Sequence, residues 1–354
     1  MTTRPALFLV AEEVGELADE GYAKVVAELG RAMTRHGTVV THVTPQSERE
    51  SDCRPESRLQ AGVRRMRAVM NRTLRSKLRE ARPSTVVYLS RSSITLSALV
   101  RSRVLKSTAR GARLVMVALQ PRRMRWPSKL ASRFLWPDLL LVSTTDELHK
   151  TRGLGAKVDR MVTGVDLDRF RPAQPGEKTA LREKWGIPVE TSVVLHVGHL
   201  TEGRNLEAVL PLAERAGITA VVVTSGQRER ASDRIEQQLR AGGVRLIQGF
   251  LPDIAEIYRL ADCYIFPTAS TDYAIAMPLS ILEAMASDLP IAAMRVGALP
   301  ERFGNADGVL LVDSPAELVD AVARLLREPQ STRRLSESYS WAAVAEQVAG
   351  VRDP

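Results

Sequence analysis

Two stretches of the chain carry residues whose type and spacing can hold an anionic ligand. The first is Gly198-His-Leu-Thr-Glu-Gly-Arg204-Asn, which follows the apolar run Ser192–Val197 and precedes an apolar-patterned stretch from Leu206. A strand that gives way to glycines and then to a helix N-terminus brings backbone N–H groups to phosphate oxygens, and the helix dipole favours negative charge there. Arg204 adds a planar, permanent cation suited to a diphosphate. Turns of this kind also occur in every α/β sheet, so an ordinary connection is the competing reading.

The second stretch runs from Gly249-Phe-Leu-Pro-Asp253 through Tyr258-Arg-Leu-Ala-Asp262 and Phe266-Pro-Thr to Tyr273-Ala-Ile-Ala-Met-Pro-Leu-Ser-Ile-Leu-Glu283. Glu283 falls early in an apolar helix, and a carboxylate in that frame needs a partner. A backbone N–H or an arginine would serve; so would the paired hydroxyls of a ribose. Asp166 and Asp168 form an acidic pair without a further acidic cluster, and His196 and His199 sit at a strand end as packing and a phosphate neighbour. No metal centre is expected.

Positioning such residues requires repeated strand–helix units, and the hydrophobic pattern supplies them. Expected strands are Ala6–Val10, Thr38–Val43, Thr85–Leu89, Leu114–Leu119 and Leu139–Ser143, then Ser192–Val197, Thr219–Thr224, Val244–Gln248, Cys263–Phe266, Ile291–Met294 and Gly308–Val312. Helical patterns lie between them, among them Gly21–His36, Arg58–Ala81, Leu96–Arg110, Leu206–Ala216 and Ser280–Ala286. Apolar strands alternating with helices predict parallel sheets covered on both faces, in two doubly wound domains. The 354 residues suit two such domains. Pro/Gly-rich Arg171–Glu177 marks the join, giving domains 1–172 and 173–338, with an apolar-faced tail helix over 339–354. Cys53 and Cys263 form no ligand pattern, and no apolar run near residue 1 is long enough for a secretory signal or a membrane span. A cytoplasmic protein is expected.

The ordered motifs resemble the group 1 (family 4) glycosyltransferases: Val-Gly-His-Leu with Arg-Asn, then Gly-Phe-Leu, Tyr-Arg-Leu-Ala-Asp, Phe-Pro-Thr, and Pro-Leu-Ser-Ile-Leu-Glu-Ala-Met-Ala. Thr163–Pro172, with its Gly-Val-Asp turn, and Ser340-Trp-Ala-Ala-Val-Ala345 are similar to further parts of that family, as is the helix at Gly21–His36. The resemblance implies a retaining, metal-independent transfer from a nucleoside diphosphate sugar, with no other cofactor. It implies the GT-B architecture: two Rossmann-like domains facing a cleft and a C-terminal helix crossing back. Arg204 and His199 would meet the donor diphosphate, with Gly198 giving close backbone approach. Glu283 would hold the nucleotide ribose, Leu251 the base through its backbone, and Ala276, Met277, Pro278 and Leu279 would offer N–H groups. Glu20, Gly21 and Tyr22 would form the acceptor-side loop of the first domain.

Arg204 stands where the family has Lys and His199 where it usually has Arg, both mild departures; two others matter more. Ile275 stands where the family has its first Glu, with Asp272 three residues upstream as the candidate substitute; Gln120 stands where many relatives present a His. Ile cannot accept a sugar hydroxyl, and Gln hydrogen-bonds without acting as a base. A degenerate, non-catalytic relative that binds a membrane or a partner is therefore the second reading.

Charge is asymmetric: residues 1–170 carry about +14 and residues 171–354 about −5 of the net +9. Most of the excess falls between residues 54 and 133. Three readings stay open for it: a solvated helix face, peripheral contact with the anionic inner face of a membrane, or recognition of an anionic acceptor, small or lipid-linked. Nucleic acid is not expected, because aromatics make up only 5% and no nucleic-acid motif accompanies the charge.

Overall fold

The computed structural model describes residues 6–11, 21–43, 71–90, 93–120, 129, 132–161, 163–224 and 232–350. Its chain divides into two compact units, Met1–Val162 with Trp341–Pro354, and Thr163–Ser340.

In the first unit, β1 (Ala6–Ala11), β2 (Thr38–Val43), β3 (Thr85–Leu89), β4 (Arg113–Ala118), β5 (Leu139–Val142) and β6 (Val158–Arg160) form one parallel sheet ordered β2-β1-β3-β4-β5-β6. Parallel neighbours need a crossover, and helices provide it: α1 (Gly21–Met33), α2 (Arg72–Ala81), α3 (Leu96–Thr108) and α4 (Thr145–Arg152). Strands β3 and β5 are buried at every position, as covering on both faces requires. Helix α1 buries Tyr22, Val25, Val26, Leu29 and Met33 at helical spacing. Asn71, Thr95 and Thr144 start the next three helices, each side-chain oxygen accepting a backbone N–H of the first turn.

The second unit repeats the plan with β7 (Ser192–Val197), β8 (Ile218–Thr224), β9 (Arg245–Gln248), β10 (Cys263–Phe266), β11 (Ile291–Met294) and β12 (Val309–Val312). Their order is β12-β11-β10-β7-β8-β9, again all parallel. Its helices are α5 (Glu177–Lys184), α6 (Leu210–Ala213), α7 (Ser232–Ala241), α8 (Ala255–Leu260), α9 (Leu279–Ala286), α10 (Leu299–Phe303), α11 (Glu317–Arg327) and α12 (Arg333–Ser336). The last helix, α13 (Trp341–Ala349), returns to the first unit: it packs on α1, buries Trp341, Val344 and Val348, and Gln347 Nε2 donates to Arg160 O at 2.6 Å.

Three expectations change. The helix anticipated over Leu206–Ala216 is two pieces, a 3-10 turn at Leu206–Val209 and the short α6. Asn205 enters in the left-handed region at φ 54°, and Pro211 within the stretch has no N–H to donate to the preceding turn, so the stretch does not run on as one α-helix. The units separate before Thr163, upstream of the Pro/Gly-rich stretch, because 163–172 is stitched into the second unit. Arg333 donates to Leu167 O (3.1 Å) and Phe170 O (3.0 Å), and Val165 N donates to Tyr339 O (2.7 Å). Strand β6 has no apolar run to announce it. Of the helix expected over Arg58–Ala81, only 71–81 falls among the described residues.

Ion pairs anchor α5 beneath the second sheet. The buried Arg182 pairs with Asp262, whose other contacts are Lys178 Nζ (2.9 Å) and Val193 N (2.7 Å). Glu177 accepts from Arg171 at 2.8 and 3.0 Å and pairs with Arg259 Nε at 2.9 Å. The Arg171 hydrogen bond holds the Glu177 carboxyl down from 4.5 to about 2. A carboxylate with a depressed pKa contributes stability that is complete above its ordinary value and lost as pH falls through the folded one. Glu177→Gln therefore removes an acid-dependent component: acid unfolding followed by circular dichroism should show a shallower loss between pH 4.5 and about 2 than the parent chain. Superimposable acid limbs would contradict the pairing.

Candidate functional site

The strand order locates the site before any side chain is considered. In the second sheet the order reverses between β7 and β10, which are adjacent with Val194 opposite Cys263 and Leu195 opposite Tyr264. Ligands of open α/β sheets bind in the crevice outside the strand carboxyl ends at such a switch point, because the two following connections diverge to opposite faces. The segments leaving β7 and β10 are 198–205 and 267–278, the two stretches singled out in the sequence.

After β7, the turn Glu202–Arg204 is 3-10, Arg204 N donates to Thr201 O (3.1 Å) and Thr201 N donates to His199 O (3.1 Å). Both N–H groups are spent within the turn, and the stretch from Leu206 opens as a 3-10 turn rather than an α-helix. Arg204 Nη2 donates to Tyr273 O at 2.9 Å, and a Cβ added to Gly198 would stand 2.5 Å from Arg204 Nη1. A Cβ on Gly203 would lie 2.0 Å from the Tyr273 ring, so that ring rests on the Gly203 backbone. Asn205 Nδ2 donates to Pro267 O at 3.1 Å, a second tie between the two segments.

The helix N-terminus of the site is that of α9. Pro278 precedes it in an extended conformation and provides no side-chain cap. The approach is fixed on both sides: Ala298 N donates to Ala276 O (2.9 Å) and Thr163 Oγ1 to Met277 O (3.1 Å). Gly297, at φ 59°, is required beside Ala276, whose carbonyl oxygen would be 2.2 Å from any Cβ there. At the far end of α9, Arg333 binds the Ala286 carbonyl and complements the negative end of the dipole.

Glu283 is buried on α9 and accepts from Tyr258 Oη at 2.9 Å. Burial and the facing carboxylate push the Tyr258 hydroxyl far up, so it remains the donor of that bond. Tyr258 stands edge-on to Phe170 at 5.5 Å and stacks on Tyr264 at 6.0 Å, and Tyr264 stacks on His196 at 6.3 Å. Three buried side-chain atoms at these strand ends lack a hydrogen-bond partner: His196 Nε2, Thr201 Oγ1 and Thr268 Oγ1. Buried polar atoms are nearly always satisfied, and each of these three retains hydrogen-bonding capacity for an added partner.

The structure thus gathers Gly198, Arg204, Ile275, Ala276, Met277, Pro278, Leu279 and Glu283 on connected segments at one end of the second sheet. His199 lies half-buried in the same turn, Asp272 is exposed next to Tyr273, Ile275 is half-buried, and Leu251 is half-buried after β9. Gln120 follows β4 in the other unit. Gly21 and Tyr22 open α1 rather than a loop, and Tyr22 is buried with its hydroxyl donated to Leu89 O at 2.7 Å; Glu20 lies outside the described residues. Asp166 caps its own turn, accepting from Asp168 N (3.1 Å) and Arg169 N (3.0 Å). No cluster of three metal-ligating side chains occurs among the described residues. Sequence reading passed over Tyr258, Gly203 and Tyr273; a buried carboxylate's need for a donor points to the first, while the ring-on-glycine contact has no sequence signal.

That contact can be tested without a ligand. Gly203→Ala should expel the Tyr273 ring and raise hydrogen exchange at 269–277 while leaving α9 protected. Unchanged exchange would show that the ring is not held there.

Residues 191–328 match the family model for glycosyl transferases group 1. The chain is 28% identical over 243 residues to D-inositol 3-phosphate glycosyltransferase 2 of Catenulispora acidiphila, covering 60% of this chain and 55% of that protein. It is 29% identical over 227 residues to the D-inositol 3-phosphate glycosyltransferase of Mycobacterium tuberculosis, covering 58% and 46%. The matches thus span about half the length of these relatives. Among solved structures, sucrose-phosphate synthase from Thermosynechococcus elongatus superposes with a TM-score of 0.74 at 16% identity, covering 98% of each chain. Anabaena HepE in complex with UDP-glucose gives 0.66 at 16% identity, again covering 98% of each. With two Rossmann-like parallel-sheet units, the second carrying the residues that match the group 1 glycosyl transferase model, the chain has the GT-B fold.

Proposed function

We propose that this chain is a nucleotide-sugar-dependent glycosyltransferase whose second unit binds the donor. One observation carries the proposal: a guanidinium and an uncapped helix N-terminus stand on the two segments that leave the strands of the switch point. Nucleoside diphosphate sugars react by losing a diphosphate, and negative charge grows on it in the transition state. Preorganised donors aimed at that charge are the largest stabilising contribution such a site makes. Arg204, His199 and the N–H groups at the start of α9 are those donors in this reading, and they supply the positive charge for which other transferases use a divalent ion. Glu283, held by Tyr258, takes the ribose hydroxyls, and Leu251 borders the base. The D-inositol 3-phosphate glycosyltransferases matched in sequence support sugar transfer, and the UDP-glucose complex matched in fold supports this donor class.

Retention of configuration belongs to the proposal and rests on the family resemblance. The acceptor, small or lipid-linked, is assigned to the first unit with Gln120. Exposed Arg72, Lys77 and Arg79 on α2 support contact with an anionic membrane surface, part of the basic 54–133 stretch. No helix among the described residues is long and apolar enough to cross a membrane. A binding relative without turnover is favoured by one residue: Ile275 brings a hydrocarbon where the family places a carboxylate.

Arg204→Ala should reduce sugar transfer, or the slow hydrolysis of the donor, by about a hundredfold or more, the cost of one lost oxyanion donor. A variant at parent rates would remove the assignment. Glu283→Gln keeps an acceptor for Tyr258 and loses the charge; calorimetry should show weakened UDP or GDP binding with pyrophosphate binding unchanged. Equal weakening of both would place Glu283 elsewhere. Absence of donor hydrolysis by the parent chain, with binding intact, would establish the non-catalytic reading.

A further inference from the structure

His196 lies in β7 with no solvent exposure. Its Nδ1 is 3.0 Å from Ile265 O, and a carbonyl only accepts, so Nδ1 carries the proton and Nε2 is a bare lone pair. Burial lowers its pKa to about 4, which keeps the ring neutral. Tyr264 and Phe266, with centroids at 6.3 and 6.2 Å, fix the ring plane. Nε2 is nonetheless buried without a partner.

The residue two positions along a strand shares its face, and here that residue is Gly198. The point where a Gly198 Cβ would stand is 2.8 Å from His196 Nε2 and 2.5 Å from Arg204 Nη1. The glycine leaves the space in which an imidazole acceptor and a guanidinium donor come side by side. Arg204 at present spends Nη2 on the carbonyl of Tyr273, on the loop leading to α9. A diphosphate seated between Arg204 and the start of α9 competes directly with that carbonyl for the cation.

We propose that His196 is a positioning residue for Arg204: its Nε2 accepts a guanidinium N–H when the Tyr273 carbonyl is displaced, holding the cation at the end of β7 while its other N–H groups face the diphosphate. The inference rests on the assignment of Arg204 to the donor diphosphate. It gives the unsatisfied imidazole nitrogen a donor, and it explains why a histidine occupies an otherwise apolar strand. Gly198 acquires a role beyond close backbone approach, since any side chain there would wedge the pair apart.

The test uses the full chain and four variants: His196→Phe, which keeps the ring packing and loses the acceptor; His196→Gln, whose amide oxygen can replace Nε2; Arg204→Ala; and His196→Phe combined with Arg204→Ala. Calorimetry measures UDP and uridine, or GDP and guanosine if GDP gives the larger thermal shift. His196→Phe should weaken the diphosphate about tenfold, the scale of one hydrogen bond to a charged group, and leave the nucleoside unchanged. His196→Gln should recover most of the loss, and His196→Phe should add nothing in the Arg204→Ala background. Parent-like diphosphate binding by His196→Phe, equal loss for diphosphate and nucleoside, no recovery by Gln, or additive losses would each overturn the inference while the Arg204 assignment stands. Parent-like binding by Arg204→Ala would instead remove the assignment on which it rests. If His196→Phe does not fold, His196→Leu takes its place in the same comparisons.

Discussion

A parallel sheet whose strand order reverses leaves a gap that its own connections cannot fill. In the second unit that gap opens between β7 and β10, and the surrounding residues are arranged with respect to it. The segment after β7 brings a guanidinium to one side; the segment after β10 closes over it with Tyr273 and then delivers the start of α9. Arg204 is the contact on which both depend. Its donation to the Tyr273 carbonyl ties the two segments together, and the same guanidinium is the cation a diphosphate would seek. Structural glue and candidate anion site are therefore one group, so ligand entry and loop rearrangement must be linked.

Buried aromatic contacts support this arrangement from below. Aromatics are few in the chain, yet Phe170, Tyr258, Tyr264, His196 and Phe266 touch in succession. One member donates to Glu283 and another faces the Arg204 side, so carboxylate and guanidinium are referenced to the same rigid stack. The segment 163–172 explains why the second unit begins where it does. It contributes Phe170 to the stack, and Thr163 to the Met277 carbonyl, and Arg333 fastens it to the end of α9.

Much of this was legible because the strands are nearly pure runs of β-branched and aliphatic residues, which only a doubly covered sheet buries. Arg204 and Glu283 stood out for a related reason, as charges at the margins of apolar elements. What escaped reading depends on backbone or on distant contacts. Leu206–Ala216 has the spacing of a helix, but it follows a left-handed Asn205 and Pro211 breaks it into short turns, so the α-helix N-terminus of the candidate site is that of α9. Tyr22 is expected in the acceptor-side loop, yet it lies in the first turn of α1 with its hydroxyl committed to Leu89. His196 reads as packing in any sequence; only the position of its empty nitrogen beside Gly198 gives it another part.

The central claim is that a diphosphate enters between Arg204 and the first turn of α9. A crystal structure of the chain with UDP or GDP tests it most directly. The account predicts phosphate oxygens within hydrogen-bonding distance of the Arg204 guanidinium and of backbone N–H groups at the start of α9, with the Tyr273 carbonyl released. Nucleotide bound elsewhere, with Arg204 still on Tyr273 and the end of β7 closed, would contradict it.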